Sequence, residues 1–273
     1  MKSKKGYKAQ KEQKAKEEKL ASIISHFTPD YIISNKDNLD FRELCKIYPF
    51  DEKLAYILRY KVDWTSLYIY NAQIDRMFYY NNEGFIDWEK ISAHEDLPVS
   101  ALRKCPDRLN WSLICKNTQM TENTLETFYK YLDLDKASEY QNLTVRFIEN
   151  HLSDFKPCIT TICDHQALSM SFMREYADIL DWSAISRSQL LSEAFMTEMS
   201  DYIDWTWACT KQKMSAKFIE TNIDKINLYC LIKRDAYIPR SIQRTPFYEV
   251  CKLYMKKGYD LFNVENIIAE AGT

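Results

Sequence analysis

The chain has 273 residues, 46% of them apolar and 28% charged, and a formal net charge of −2. Those proportions exclude a disordered chain, and no apolar run approaches the length of a membrane-crossing helix. Only four glycines occur, too few for tight hairpins, dinucleotide-binding loops or phosphate loops, so an all-α chain is expected.

The first twenty residues hold eight lysines against three glutamates, a balance of +5, whereas the remainder carries −7. This basic arm, headed by Lys2, Lys4, Lys5, Lys8 and Lys11, reads either as a contact for nucleic acid or an acidic partner, or as a solvated helix extension. It lacks the apolar stretch of a signal peptide, so a cytoplasmic protein with reduced thiols is expected.

Next, Phe27-Thr28 followed by Tyr31-Ile32 reads as the second half of a helical unit whose first half is missing. From there one phrase returns nine times: Asp or Asn, a bulky apolar anchor, and a small residue four positions after it. The anchors are Phe41, Trp64, Trp88, Trp111, Leu134, Ile159, Trp182, Trp205 and Leu228, spaced by 23, 24, 23, 23, 25, 23, 23 and 23 residues. A period of that size means stacked supersecondary units, an α-solenoid of about nine short helix pairs.

Within a unit the polar residue before the anchor is the cap of a first helix, because its short acceptor side chain satisfies the free N–H groups of the opening turn. Eight of the nine copies have it, namely Asp40, Asp63, Asp87, Asn110, Asp133, Asp181, Asp204 and Asn227. The anchor and the residue three further on share one apolar face, as in Trp182 with Ile185. Trp64, Trp88, Trp111, Trp182 and Trp205 are expected in the core, and Trp207, off the pattern, at the surface.

A second phrase, Leu191-Ser192 with Phe195-Met196, is echoed at Leu143-Thr144, Leu168-Ser169 and Met214-Ser215. It gives a hydrophobic staple and a cap for a second helix. Asp51 is placed to serve as another such cap, while Pro98 and Pro239 suit a first helical turn. Helices of roughly eight to ten residues are expected, too short to persist without neighbours.

Cys45, Cys115, Cys163 and Cys209 occupy the small slot that Ser92, Ser138 and Ser186 take elsewhere, so these thiols are repeat positions. Near the end, Lys233, Arg234, Arg240 and Arg244 form a candidate basic patch, with a solvated face as the plain alternative. Pro246 opens a further helix, and 263–271 reads as a last one. The expected organisation is a basic arm over 1–20, one solenoid over 21–245 and a C-terminal capping helix pair over 246–273.

No catalytic or metal constellation emerges. Cys158, Cys163 and His165 lack a second paired set of ligands, and His26, His94 and His151 are isolated. Paired carboxylates assembled from distant repeats stay open, but capping already accounts for the recurring acids. No cofactor is expected, and no enzyme.

The alternating phrases D-W-x-x-I-S and L-S-x-x-F-[IM], clearest between Ile159 and Ile219 and covering most of the chain, resemble the short tandem helical repeats of large DNA viruses and large phages. The resemblance implies an α-solenoid of viral or phage origin. By analogy it implies a protein that binds another protein and blocks a host factor, for instance a defence protein, in the host cytoplasm. Nucleic-acid association through the lysine arm, or a structural assembly role, are the alternatives.

Overall fold

The computed structural model describes residues 19, 22, 23 and 26–256. The lysine arm other than Lys19, and the helix expected over 263–271, lie outside the described residues. Every regular element among the described residues is helical. The fold is an all-α, solenoid-like stack of repeats in two compact units, Met1–Ala137 and Ser138–Thr273.

In the first unit the half-repeat helix is α1 (Pro29–Ser34), and the pairs are α2 (Phe41–Ile47) with α3 (Glu52–Ile57), α4 (Trp64–Tyr70) with α5 (Arg76–Asn81), and α6 (Trp88–Ser92) with α7 (Val99–Lys104). Then come α8 (Trp111–Asn117) with α9 (Glu122–Thr127), and α10 (Leu134–Tyr140), within which the division falls. The second unit continues with α11 (Val145–Asn150) and a short extra α12 (Leu152–Phe155), at the place where the anchor spacing lengthens to 25. It goes on with the pairs α13 (Ile159–His165) with α14 (Met170–Glu175), α15 (Trp182–Ser188) with α16 (Glu193–Glu198), α17 (Trp205–Lys211) with α18 (Ala216–Thr221), and α19 (Leu228–Lys233) with α20 (Arg240–Gln243). The last is α21 (Pro246–Lys256).

Every anchor is the first residue of its helix, and first helices stack on first helices: α2 on α4 and α4 on α6 in one unit, α13, α15, α17, α19 and α21 in succession in the other. The caps form as the spacing predicts. Asp181 Oδ1 accepts from Ala184 N at 3.1 Å and Asp204 Oδ1 from Trp207 N at 3.1 Å, while Ser192 Oγ accepts from Phe195 N at 3.2 Å. The free Oδ2 ties neighbours together: Thr160 Oγ1 donates to Asp181 Oδ2 at 2.8 Å, one repeat on. Pro98 and Pro239 differ from expectation by one place. They are the extended cap residues before α7 and α20 rather than the first helical residue, and neither offers a capping side chain.

The small slot is fully buried in all seven copies, Cys45, Ser92, Cys115, Ser138, Cys163, Ser186 and Cys209. Its polarity has a use: Ser92 Oγ accepts from Asn110 N at 2.8 Å, Ser186 Oγ from Asp204 N at 3.0 Å and Cys209 Sγ from Asn227 N at 3.3 Å. In these three copies the slot satisfies the backbone N–H of the next repeat's cap residue.

Seven residues after the anchor stands a side chain whose role no single repeat reveals. Gln166 Nε2 donates to Ser138 O at 2.5 Å and Gln141 O at 2.9 Å, and its Oε1 accepts from Leu143 N at 2.9 Å. Gln189 and Gln212 repeat all three bonds one and two units later. Each glutamine therefore satisfies the open C-terminal carbonyls of the previous first helix, together with the N–H of its staple residue. To reach back it leaves the helix: Gln166, Gln189 and Gln212 are extended C-cap residues, with ψ of 145, 152 and 144°. In these three repeats the first helix accordingly stops at seven residues, and no first helix reaches the eight to ten expected.

Where this position is Glu95, a lysine does the work. Lys104 Nζ, from the second helix of that repeat, donates to Tyr68 O and, at 2.8 Å, to Asn71 O, the same two carbonyl positions a glutamine would serve. Burial pushes the ammonium down to about 8. In the two repeats with an acidic residue at this place, Glu95 and Asp235, the chain turns through a left-handed aspartate instead, Asp96 and Asp235, each at φ 57°. Aspartate tolerates that conformation better than most residues.

The tryptophans divide. Trp64, Trp111 and Trp182 are buried, whereas Trp88 and Trp205 are half-buried. Four of them donate the indole N–H to the carbonyl five residues earlier: Trp64 to Arg59, Trp111 to Pro106, Trp182 to Ala177 and Trp205 to Ser200, at 2.7 to 3.1 Å. In the fifth, the equivalent Glu83 O closes a 3-10 turn with Ile86 N, and Trp88 Nε1 has no partner. Trp207 is not at the open surface either, since Arg187 Cζ lies 5.2 Å over its ring. Trp182→Phe is expected to keep the stack on Phe195 but orphan Ala177 O, lowering urea-unfolding stability by about 1 to 2 kcal/mol. A wild-type midpoint would show that the indole bond contributes nothing.

Candidate functional site

Among the described residues, the positions singled out for binding line no common pocket. Lys2, Lys4, Lys5, Lys8 and Lys11 lie outside the described residues. Lys233 is exposed on α19, its Nζ 5.7 Å over the Tyr229 ring, while Arg234 is half-buried and donates to Thr210 O at 3.4 Å. Arg240 and Arg244 are exposed on and just after α20. Beside them α21 exposes Phe247, Val250 and Leu253 on one face. Among the described residues no three His, Cys, Asp or Glu side chains are grouped as a metal site. Cys163 is buried in its slot, where burial pushes the thiol up to about 11.

A different surface stands out once exposure is known. In the second helices of the second unit the fifth and sixth residues after the cap are Glu149 and Asn150, Arg174 and Glu175, Thr197 and Glu198, and Glu220 and Thr221, all exposed and polar. In α3 the same two positions are Tyr56 and Ile57, 54% and 47% exposed. The second position after the cap, Arg146, Ser171, Ala194 or Lys217 in the second unit, is Met77 in α5, 53% exposed. The repeat geometry turns these positions outward in all four of those second-unit helices, whereas Lys104 in α7 is a buried exception, so the apolar choice in α3 and α5 is not demanded by the repeat's packing.

These residues are continuous. A groove between α3 and α5, of about 480 Å³, is lined by Tyr56, Met77 and Phe78 with Glu52, Asp75 and Lys53 among its polar residues. At its side Arg59 Cζ sits 4.5 Å from the Tyr56 ring and 4.8 Å from the Tyr60 ring, and its Nη1 donates to Tyr56 O at 3.0 Å. Tyr60, 76% exposed, meets Phe85 edge-on at 5.4 Å, and Phe85 stacks on the buried Trp64 at 5.4 Å. The patch is thus rigidly backed by the core. Tyrosine, arginine and methionine are the residues enriched in interface centres, where broad rings bury area with few rotors to immobilise.

This surface is not legible in one repeat's sequence, because a tyrosine at a helix face looks the same whether buried or exposed. The available signal was a comparison of copies at equal phase after the second cap, Tyr56-Ile57 against four polar pairs. No protein-family model matches the chain, and no curated protein or solved structure does. No helix among the described residues is long and apolar enough to cross a membrane.

Proposed function

We propose that this chain is a non-enzymatic scaffold that binds another protein through the aromatic groove of α3 and α5. The observation that carries the reading is the swap from polar to aromatic and apolar side chains at positions the repeat holds outward. The lining is net acidic, Glu52 and Asp75 against Lys53. The partner segment that fits is therefore an apolar anchor beside a basic residue, the anchor lying between Tyr56 and Met77. The resemblance to viral and phage repeats extends the proposal to a host factor, bound and blocked in the host cytoplasm.

Tyr56→Ala with Tyr60→Ala tests it. Both side chains are exposed, so stability is expected within about 0.5 kcal/mol of the parent, while affinity for a captured partner should fall by more than about tenfold, the loss typical of interface anchors. The measurement is capture from nuclease-treated lysate of the cells in which the protein occurs, followed by titration of the recovered protein against parent and variant. Equal affinity for both would remove the groove as the binding face, and recovery that disappears with nuclease would turn the assignment to nucleic acid.

A further inference from the structure

The first helices of the first unit hold a second cavity, of about 130 Å³, around the cap of α4. Arg42 and Lys46 reach it from α2, Lys90 from α6, and His94 from the residues just after α6, with Asp63 and Tyr70 completing the polar wall. We propose that it binds a phosphate monoester group.

The cations belong to the first and third repeats and converge across the second, a juxtaposition set by the stacking of α2 on α4 and α4 on α6. Three permanent positive charges face one carboxylate. That carboxylate is occupied: Asp63 Oδ1 accepts from Ser66 N at 2.8 Å as the helix cap, and Lys90 Nζ stands off at 3.9 Å from Oδ2. Partial burial works to raise the Asp63 pKa, but the bonds from Ser66 and the charges of Lys90 and Arg42 outweigh it and hold the group below the usual carboxylate range. Lys46 is paired with Glu43 at 2.7 Å, whereas Arg42 has no ion pair among the described residues. The lining therefore keeps a positive excess that an anion offsets.

The chemistry of the wall selects the anion. A guanidinium matches two phosphate oxygens at once, and the ammonium groups and imidazole supply donors from other directions, as a tetrahedral dianion needs. His94 Nδ1 lies 2.7 Å from Glu95 O, which orients the ring and keeps Nε2 for the ligand. The cavity is far below the roughly 300 Å³ at which drug-sized ligands begin to fit, so it takes the phosphoryl group and leaves the ester substituent outside. Tyr70, 45% exposed and edge-on to His94 at 6.5 Å, offers that substituent a ring face.

The test is a titration of the full chain with phenyl phosphate, followed by phosphorus NMR and calorimetry, beside inorganic phosphate and acetate. Saturable binding of both phosphates, with acetate much weaker, is expected. Arg42→Gln with Lys90→Gln should weaken phenyl phosphate by roughly tenfold or more, as loss of charge-assisted hydrogen bonds implies, with circular dichroism and melting unchanged. Lys53→Gln, in the other groove, should leave it unaltered. A phosphoserine peptide and a 5′-phosphorylated dinucleotide serve as competitors, and displacement by either supports the site and names the source of the group. Absence of saturable phosphate binding, equal binding of acetate, or full affinity in the double variant would overturn the proposal.

Discussion

Replacing Gln166 with Leu is expected to lower the unfolding free energy by about 3 to 6 kcal/mol. Leucine fills much of the same space, so the cost is not a cavity. The two carbonyls of Ser138 and Gln141 and the N–H of Leu143 lose their partner together, in a site where Gln166 is 5% exposed. Each buried backbone group left unpaired costs roughly 1 to 3 kcal/mol. Urea unfolding of the parent and Gln166→Leu measures it, and Gln166→Glu, which keeps the acceptor but not the donors, should fall between or below. A loss under about 1 kcal/mol for Gln166→Leu would mean that water replaces the amide and that the glutamine ladder does not couple repeats.

The second large effect is a steep loss of stability above pH 9. Burial pushes Cys45, Cys115 and Cys209 up to about 12 and Cys163 to about 11, against an ordinary value of 9.0. In each case the unfolded thiol ionises first. The stabilisation is therefore complete below pH 9 and drains away as the pH climbs toward the folded values. Between pH 9 and 10.5 this amounts to about 1.5 kcal/mol per thiol, roughly 6 kcal/mol for the four, at about 1.4 kcal/mol per pH unit. Lys104 acts in the opposite sense. Its value is lowered from 10.5 to about 8, so its contribution rises across the same window, but it offsets only about one thiol. Tyr68 and Tyr79, pushed far up by burial, add to the loss above pH 10. Changing the four cysteines to serine should preserve the fold, since Ser92 and Ser186 already make the slot's hydrogen bond, and should flatten the alkaline limb of stability against pH. An unchanged limb in that variant would place the alkaline loss elsewhere.

How much of this was legible in the sequence depends on the range of each interaction. Caps were legible because Asp181 reaches only to Ala184 and Ser192 only to Phe195, a geometry that recurs wherever the residue types recur. The small slot was legible as a size requirement, but its hydrogen bond to the next cap crosses eighteen residues and was not. Gln166, Gln189 and Gln212 stand 23 residues apart in plain view, yet nothing in one repeat says that their amides serve another. Lys104 was opaque for a stronger reason: it replaces a side chain of a different helix at a different phase, and only shared carbonyls relate the two.

The candidate sites follow the same division. By itself the sequence determined the period, the helical class, the phase of every first helix and the burial of the slots, since each follows from a local pattern repeated until chance is excluded. Tertiary structure alone decided which outward positions form a surface. Tyr56 and Met77 meet because α3 and α5 are adjacent, and Arg42 meets Lys90, 48 residues away, because two first helices flank a third. The physical reason is that a repeat's phase is set by backbone hydrogen bonds within a few residues. Neighbourhood across repeats is set by how the stacked helices pack, and no single unit carries that information.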